Sequence, residues 1–230
     1  MTARLSTTKP VSMFSRMADP GRRNTRLVPA PRGELCLEFA NTRFWRGTEP
    51  ATETLNGLGD VFAWCERAKS VDKRTVSELA AWARRHRSEA GRLFDEAVAA
   101  RETIYALFSA NAAGRSVSDR DVDALNRLLA SAPSRTNLAA AKDGNMWRLP
   151  SVSPDAASLL APILWSAGDL LAGDHLQRVR LCTNEKCRWL FVDDSKSGTR
   201  RWCSMSSCGN RAKAHRHYMR KINPSAGLTG

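Results

Sequence analysis

Two cysteine pairs of identical spacing constrain this chain more than any other feature. Cys182 and Cys187 enclose four residues (Thr-Asn-Glu-Lys), Cys203 and Cys208 enclose four more (Ser-Met-Ser-Ser), and fifteen residues separate the pairs. A tight turn between paired cysteines aims both thiolates at one point, and two such turns complete the tetrahedral sulfur set that Zn²⁺ prefers in structural sites. Such a site leaves no ligand position for water, so the metal is expected to be structural, not catalytic. Trp189-Leu190-Phe191-Val192 reads as a strand able to pair with Val179-Arg180-Leu181, giving a ribbon hairpin that carries the first turn. Two disulfides or four free thiols are the alternatives. Against disulfides, the N-terminus lacks the continuous apolar region of a secretory signal, which points to a reducing cytoplasm. No window approaches eighteen uninterrupted apolar residues, which excludes a membrane-spanning helix. Metal binding would supply on the order of 10 kcal/mol to a segment too small to fold alone. A chelator is therefore expected to unfold residues 178–222 and leave the rest standing. Cys36 and Cys65 lie in apolar stretches without a partner at metal spacing and read as buried core cysteines.

The charge is segregated. Net charge is +13 overall, made of +6 over residues 1–32, −2 over 33–177 and +9 over 178–230. A positive field concentrated on one small module implies a polyanionic partner, with solvated surface as the plainer alternative.

The chain divides into four parts on composition. Residues 1–32, rich in Pro, Arg, Ser and Thr, read as a disordered basic leader, and residues 223–230 as a disordered tail. Residues 33–177 read as a mainly α-helical domain with a short β-hairpin. Thr75-Val76-Ser77-Glu78 fits a capping box for an amphipathic run reaching Phe108, broken near Ser88 to Gly91 if it is two helices. Ser118 starts another helix, and Ser153-Pro154-Asp155 a third that runs to Gly173, with Pro162 marking a kink or a later start. Leu138 to Leu149, turning at Asp143-Gly144, reads as the hairpin. Residues 178–222 form the four-cysteine, zinc ribbon-like module ending in a basic helix.

In that last helix Asn210 can cap and Pro224 ends the pattern. Lys213, Arg216, His217 and Arg220 fall at i, i+3, i+4 and i+7, a continuous cationic stripe, while Ala212, Met219 and Ile222 fall to one side and are expected to dock on the ribbon. Like charges at these steps repel unless an anion lies on them, and phosphate is the obvious anion. Arg200, Arg201, Arg211 and Lys221 extend the expected nucleic-acid-binding set. Arg188, Arg201 or Arg211 are expected to offset the negative charge of the sulfur cluster.

The segment Cys182 to Lys221, with Phe191-x-Asp193-x-Ser195, Arg200-Arg201-Trp202-Cys203-Ser204-Met205 and Cys208-Gly209-Asn210-Arg211, resembles the CGNR zinc-finger family. Leu35-Cys36-Leu37-Glu38-Phe39-Ala40-Asn41-Thr42 resembles the start of the helical ABATE domain that usually precedes this finger, with Glu38 and Ala40 where Asp and Val are commoner. Asp194 stands where Thr is usual. The resemblance implies a bacterial, stress-response transcription regulator.

Glu38, Asn41 and Arg43 sit among apolar residues. If residues 35–44 are helical, Glu38 and Asn41 share a face and could bind a small effector, making the body a sensor; alternatively they tie neighbouring backbone. His86 reads as a core or boundary histidine. The leading functional expectation is a zinc-dependent DNA-binding regulator with a log–log salt slope of about −5. An RNA- or ribosome-associated module is the second, favoured if Trp189, Phe191, Trp202 and Tyr218 are exposed for stacking. An adaptor docking on an acidic protein surface is the third. A homodimer would double the contacts of one short helix. No nucleophile elbow, P-loop, dinucleotide fingerprint or HExxH is present, so an enzyme is not expected.

Overall fold

Three helices of the body begin on a side-chain oxygen. Asp72 accepts the Thr75 amide at 2.7 Å, Ser118 the Asp121 amide at 3.2 Å, and Asp155 the Ser158 amide at 2.8 Å. Each satisfies an amide that the first helical turn leaves free. These caps belong to the helices Lys73–Arg85 (α3), Asp119–Ser131 (α5) and Ala156–Leu159 (α6) in a computed structural model that describes residues 25–142 and 144–222, apart from the side chains of Met219 and Arg220. The remaining body helices are Leu35–Ala40 (α1), Leu58–Arg67 (α2), Arg87–Ala112 (α4) and Ala161–Ala172 (α7). Thr25–Val28 (β1), Leu138–Ala141 (β4) and Gly144–Pro150 (β5) form an antiparallel sheet in the order β1-β5-β4. Arg43–Phe44 (β2) pairs with Thr52–Glu53 (β3).

Several expectations are corrected. The cap of α3 is Asp72, three residues before Thr75. The break in the long run falls at exposed His86, whose ring stacks on Trp82 at 5.4 Å. Pro154 precedes the helices, whereas Pro162 marks the later start expected as one of its two readings, standing in the first turn of α7, where no amide is needed. The helix begun at Leu35 ends at Ala40, so residues 35–44 are not one helix. Ordered structure starts before Gly33, because Thr25–Val28 pairs with β5 in the register Thr25↔Pro150 to Val28↔Trp147. The expectations for residues 1–24, for Asp143 in the hairpin turn and for 223–230 lie outside the described residues. The expected hairpin itself is present as β4 and β5.

The core forms where α1, α4 and α7 meet. Leu35, Leu37 and Phe39 of α1, Ile104, Leu107 and Phe108 of α4, and Ile163 and Leu164 of α7 are all buried. Cys36 and Cys65 are fully buried, and burial pushes both thiols up to about 12. Beyond α7, a 3-10 turn Asp174–Arg178 leads into the strands Val179–Leu181 (β6) and Leu190–Val192 (β7), paired as expected. Val179 and Leu190 are buried in the same core as α1 and α4. The ribbon therefore has its root inside the helical body. A π-type turn Met205–Gly209 then starts the terminal helix Asn210–Ile222 (α8).

Candidate metal centre and basic helix

The sulfur atoms of Cys182, Cys187, Cys203 and Cys208 all lie within 4.8 Å of one another. Cys187 and Cys203 are 3.8 Å apart at sulfur, and Cys203 and Cys208 3.9 Å. A tetrahedron with Zn–S bonds of about 2.3 Å has edges of about 3.8 Å. These separations exceed a disulfide bond of about 2.05 Å by far, and all four cysteines are free. Four such close sulfurs cannot all ionise unless a cation shares their charge. Hydrogen bonds from the Cys187 and Cys203 thiols hold Cys182 low, and the same contacts push Cys187 and Cys203 up. The site fits one structural Zn²⁺, held by these four thiolates.

Local backbone builds both turns. The Cys187 amide donates to Asn184 O at 2.8 Å, and the Lys186 amide to Asn184 Oδ1 at 3.1 Å. Asn184 Nδ2 also reaches Cys208 Sγ at 3.5 Å, and backbone amides of Cys203 and Asn184 stabilise the Cys182 thiolate. These donors take the place expected of the arginines: Arg201 instead lies over the Trp202 ring at 5.3 Å and Arg211 over Trp45 at 4.7 Å. The Thr183 amide and hydroxyl both donate to Arg201 O, stitching one turn to the other.

The loop between the turns is organised by Asp193, a buried carboxylate. It accepts from Ser195 Oγ at 2.6 Å, the Ser195 amide at 3.0 Å and the Arg200 amide at 2.8 Å. The Ser195 bonds, with that amide, hold its carboxyl below the usual range. Arg200 donates to Trp202 O at 3.0 Å and to Cys203 O, pairs with Asp194 at 3.2 Å and lies over the Phe191 ring. Its guanidinium is thus engaged within the finger. Phe191 is buried, Trp189 and Trp202 are half-buried about the cluster, and Tyr218 is 59% exposed.

Helix α8 carries no acidic residue, and its main contact is with the turn before it. Asn210 is already helical and its Nδ2 donates to Ser206 O, so it does not cap; Ser204 is the extended residue before the turn. Arg211, Lys213, Arg216, His217 and Lys221 are exposed, and Arg220 follows on the same helix. Ile222 is 50% exposed and does not dock on the ribbon. Among the described residues no ion pair involves α8.

The segment after α1 straps the first turn to the body, a role that no local signal in the sequence announces. Asn41 Nδ2 donates to Leu190 O at 2.8 Å and the Leu190 amide donates to Asn41 Oδ1 at 3.0 Å. The Gly47 amide donates to Lys186 O at 3.2 Å, Tyr105 Oη to Arg188 O at 2.9 Å, and Phe44 packs on Trp189. Behind the strap, buried Arg101 grips Glu53 through both terminal nitrogens at 2.6 and 2.7 Å, and Arg46 grips Glu102. The effector site expected at Glu38, Asn41 and Arg43 is not assembled. Exposed Glu38 pairs with Arg32 at 2.7 Å, Arg43 is exposed in β2, and Asn41 is committed to Leu190.

The family model ABATE, described as "Putative stress-induced transcription regulator", matches residues 33–174, and the CGNR zinc finger model matches residues 178–221. No curated protein matches the chain. Among the described residues no helix is long and apolar enough to cross a membrane. With its helical body covered by the first of these models and its four-sulfur centre by the second, the chain belongs to the ABATE family and ends in a CGNR zinc finger.

Proposed function

We propose that this zinc-binding regulator is a DNA-binding protein in which α8 lies against duplex DNA. The observation that carries the reading is an acid-free, 13-residue helix whose cations stand exposed beside the four-sulfur centre. Lys213, Arg216 and Lys221, with Arg201 before the second turn, form the phosphate-contacting set. Arg220 belongs to the same set by its position in the sequence. A bare helix of this width fits a major groove, and arginine is the residue able to read a guanine edge through two parallel bonds. Arg200 is a finger-building residue in this reading, since its donors already serve Trp202 O and Cys203 O. Of the four rings that stacking on single-stranded RNA would use, Phe191 is buried, Trp189 and Trp202 are half-buried and Tyr218 alone is exposed, which favours duplex DNA. The reading is non-enzymatic.

The test is selection of DNA from a random pool, followed by affinity measurement over a range of salt. Four to five phosphate contacts give a log–log slope of about −4. Replacing Lys213, Arg216 and Lys221 together by Ala should flatten that slope by about 2–3 while zinc content stays at one equivalent. A salt-independent affinity, or a triple variant that binds as the parent does, overturns the proposal.

A further inference from the structure

A second feature of the body has no part in the finger. Arg26, in β1, lies outside both family matches and is 6% exposed. Its terminal nitrogens donate to two carbonyls far apart in the chain, Ser70 O at 2.8 Å and Ser158 O at 2.9 Å. Its Nε has no acceptor, and the guanidinium makes no ion pair among the described residues. A buried cation bonded only to neutral carbonyls is costly, because no charge of opposite sign replaces the water it has lost. Burial accordingly pulls its pKa down to about 10, and the nearby Cys65 and Asp72 offset this only in part.

Arg26 lines a cavity of about 290 Å³ between β1, the start of α3 and the segment after β5. Leu79, Trp82, Val152 and Pro154 supply the apolar part of its lining. The polar part is Thr25, Arg26, Arg74, Thr75 and Ser151, with two carboxylates that are already engaged. Asp72 caps α3 at the Thr75 amide, and Glu78 pairs with Arg74 at 2.8 Å. Indole and aliphatic side chains in one cavity with a guanidinium that has no carboxylate partner are complementary to a molecule with one flat apolar part and one acid group. The volume suits something the size of benzoate, at the small end of ligand pockets.

We propose that this cavity binds a small aromatic or branched carboxylic acid, with the carboxylate paired to Arg26 and the apolar part against Trp82 and Val152. Bound there, the acid joins β1 to the α2–α3 connection and to α6, the two segments whose carbonyls Arg26 already holds. The site is independent of the finger and of the DNA-binding reading.

The test is titration calorimetry on the full zinc-loaded chain with benzoate, its neutral isostere benzamide, acetate and inorganic phosphate. The expected result is one saturable benzoate site, with benzamide about tenfold or more weaker for loss of the charged pairing. Arg26→Met should abolish binding, and Val152→Phe, which fills the cavity and leaves Arg26 in place, should do the same in a protein whose melting is unchanged. Thermal upshift by benzoate in the parent and not in Val152→Phe is the second readout. Benzamide binding as well as benzoate, phosphate binding in place of benzoate, benzoate binding that survives Val152→Phe, or no saturation by any of the four up to about 10 mM overturns the proposal.

Discussion

Asn41 engages both the amide and the carbonyl of Leu190, 149 positions away, at a buried seam. Its replacement by Ala leaves two buried backbone groups without partners, at about 1–3 kcal/mol for each. Asn41→Ala should therefore lower unfolding free energy by about 2–6 kcal/mol in urea titration. Asn41→Asp should do no better, because a carboxylate oxygen would face the Leu190 carbonyl. Gly47 is constrained in another way: a Cβ there would lie 1.7 Å from Glu185 O, inside the backbone of the first turn. Gly47→Ala should displace the strap, and hydrogen exchange should show it as lost protection at Gly47. At this scale the sequence is partly legible. The polar residues of the opening motif stand out, but nothing local says that Asn41 faces backbone and not a ligand. The same holds for Arg26, which looks like one more cation in a basic leader until β1 draws it inward.

Among the elements, the strap and α4 are joined by charge. Burial works against ionisation of Glu53 and Glu102, yet the bonds from Arg101 and Arg46 outweigh it and hold both carboxyls below their ordinary values. A carboxyl whose folded pKa is depressed stabilises the fold at neutral pH, and that contribution fades as pH falls from the ordinary value of 4.5 through the folded one. Stability of the parent should thus decline with acidification below about pH 4.5, and Arg101→Met should show a shallower decline. At neutral pH the same variant should lose about 1–3 kcal/mol, since it leaves the half-buried Glu53 carboxylate without its guanidinium, while Glu102 keeps Arg46. Helix assignment from the sequence works where a cap and an apolar period coincide, as at Ser118. It slips at α3 because Asp72 and Thr75 both precede an apolar run, and only backbone geometry decides which oxygen faces the free amides. Strand β1 is obscured by the prolines and arginines around it, and it becomes visible only through pairing with β5.

For the molecule as a whole, the finger has two anchors. Its ribbon is rooted in the body core through Val179 and Leu190, while its second turn and α8 depend on the metal and on the stitch from Thr183 to Arg201. Zinc removal should therefore not melt residues 178–222 as one unit. Amide exchange after chelation should accelerate over 200–222 and stay slow in β6 and β7; equal loss across both would show that the core contacts do not hold the ribbon alone. The metal ligands, the helical class and the cationic terminal helix are determined by the sequence by itself, because each follows from spacing over a few residues, and local geometry converts spacing into direction. Only the tertiary structure decided that the finger shares a core with the body, that Asn41 holds it there, and that Arg26 is buried without a counter-charge. Those facts depend on contacts between residues about 40 to 150 positions apart, which the burial of apolar surface selects and no short pattern encodes.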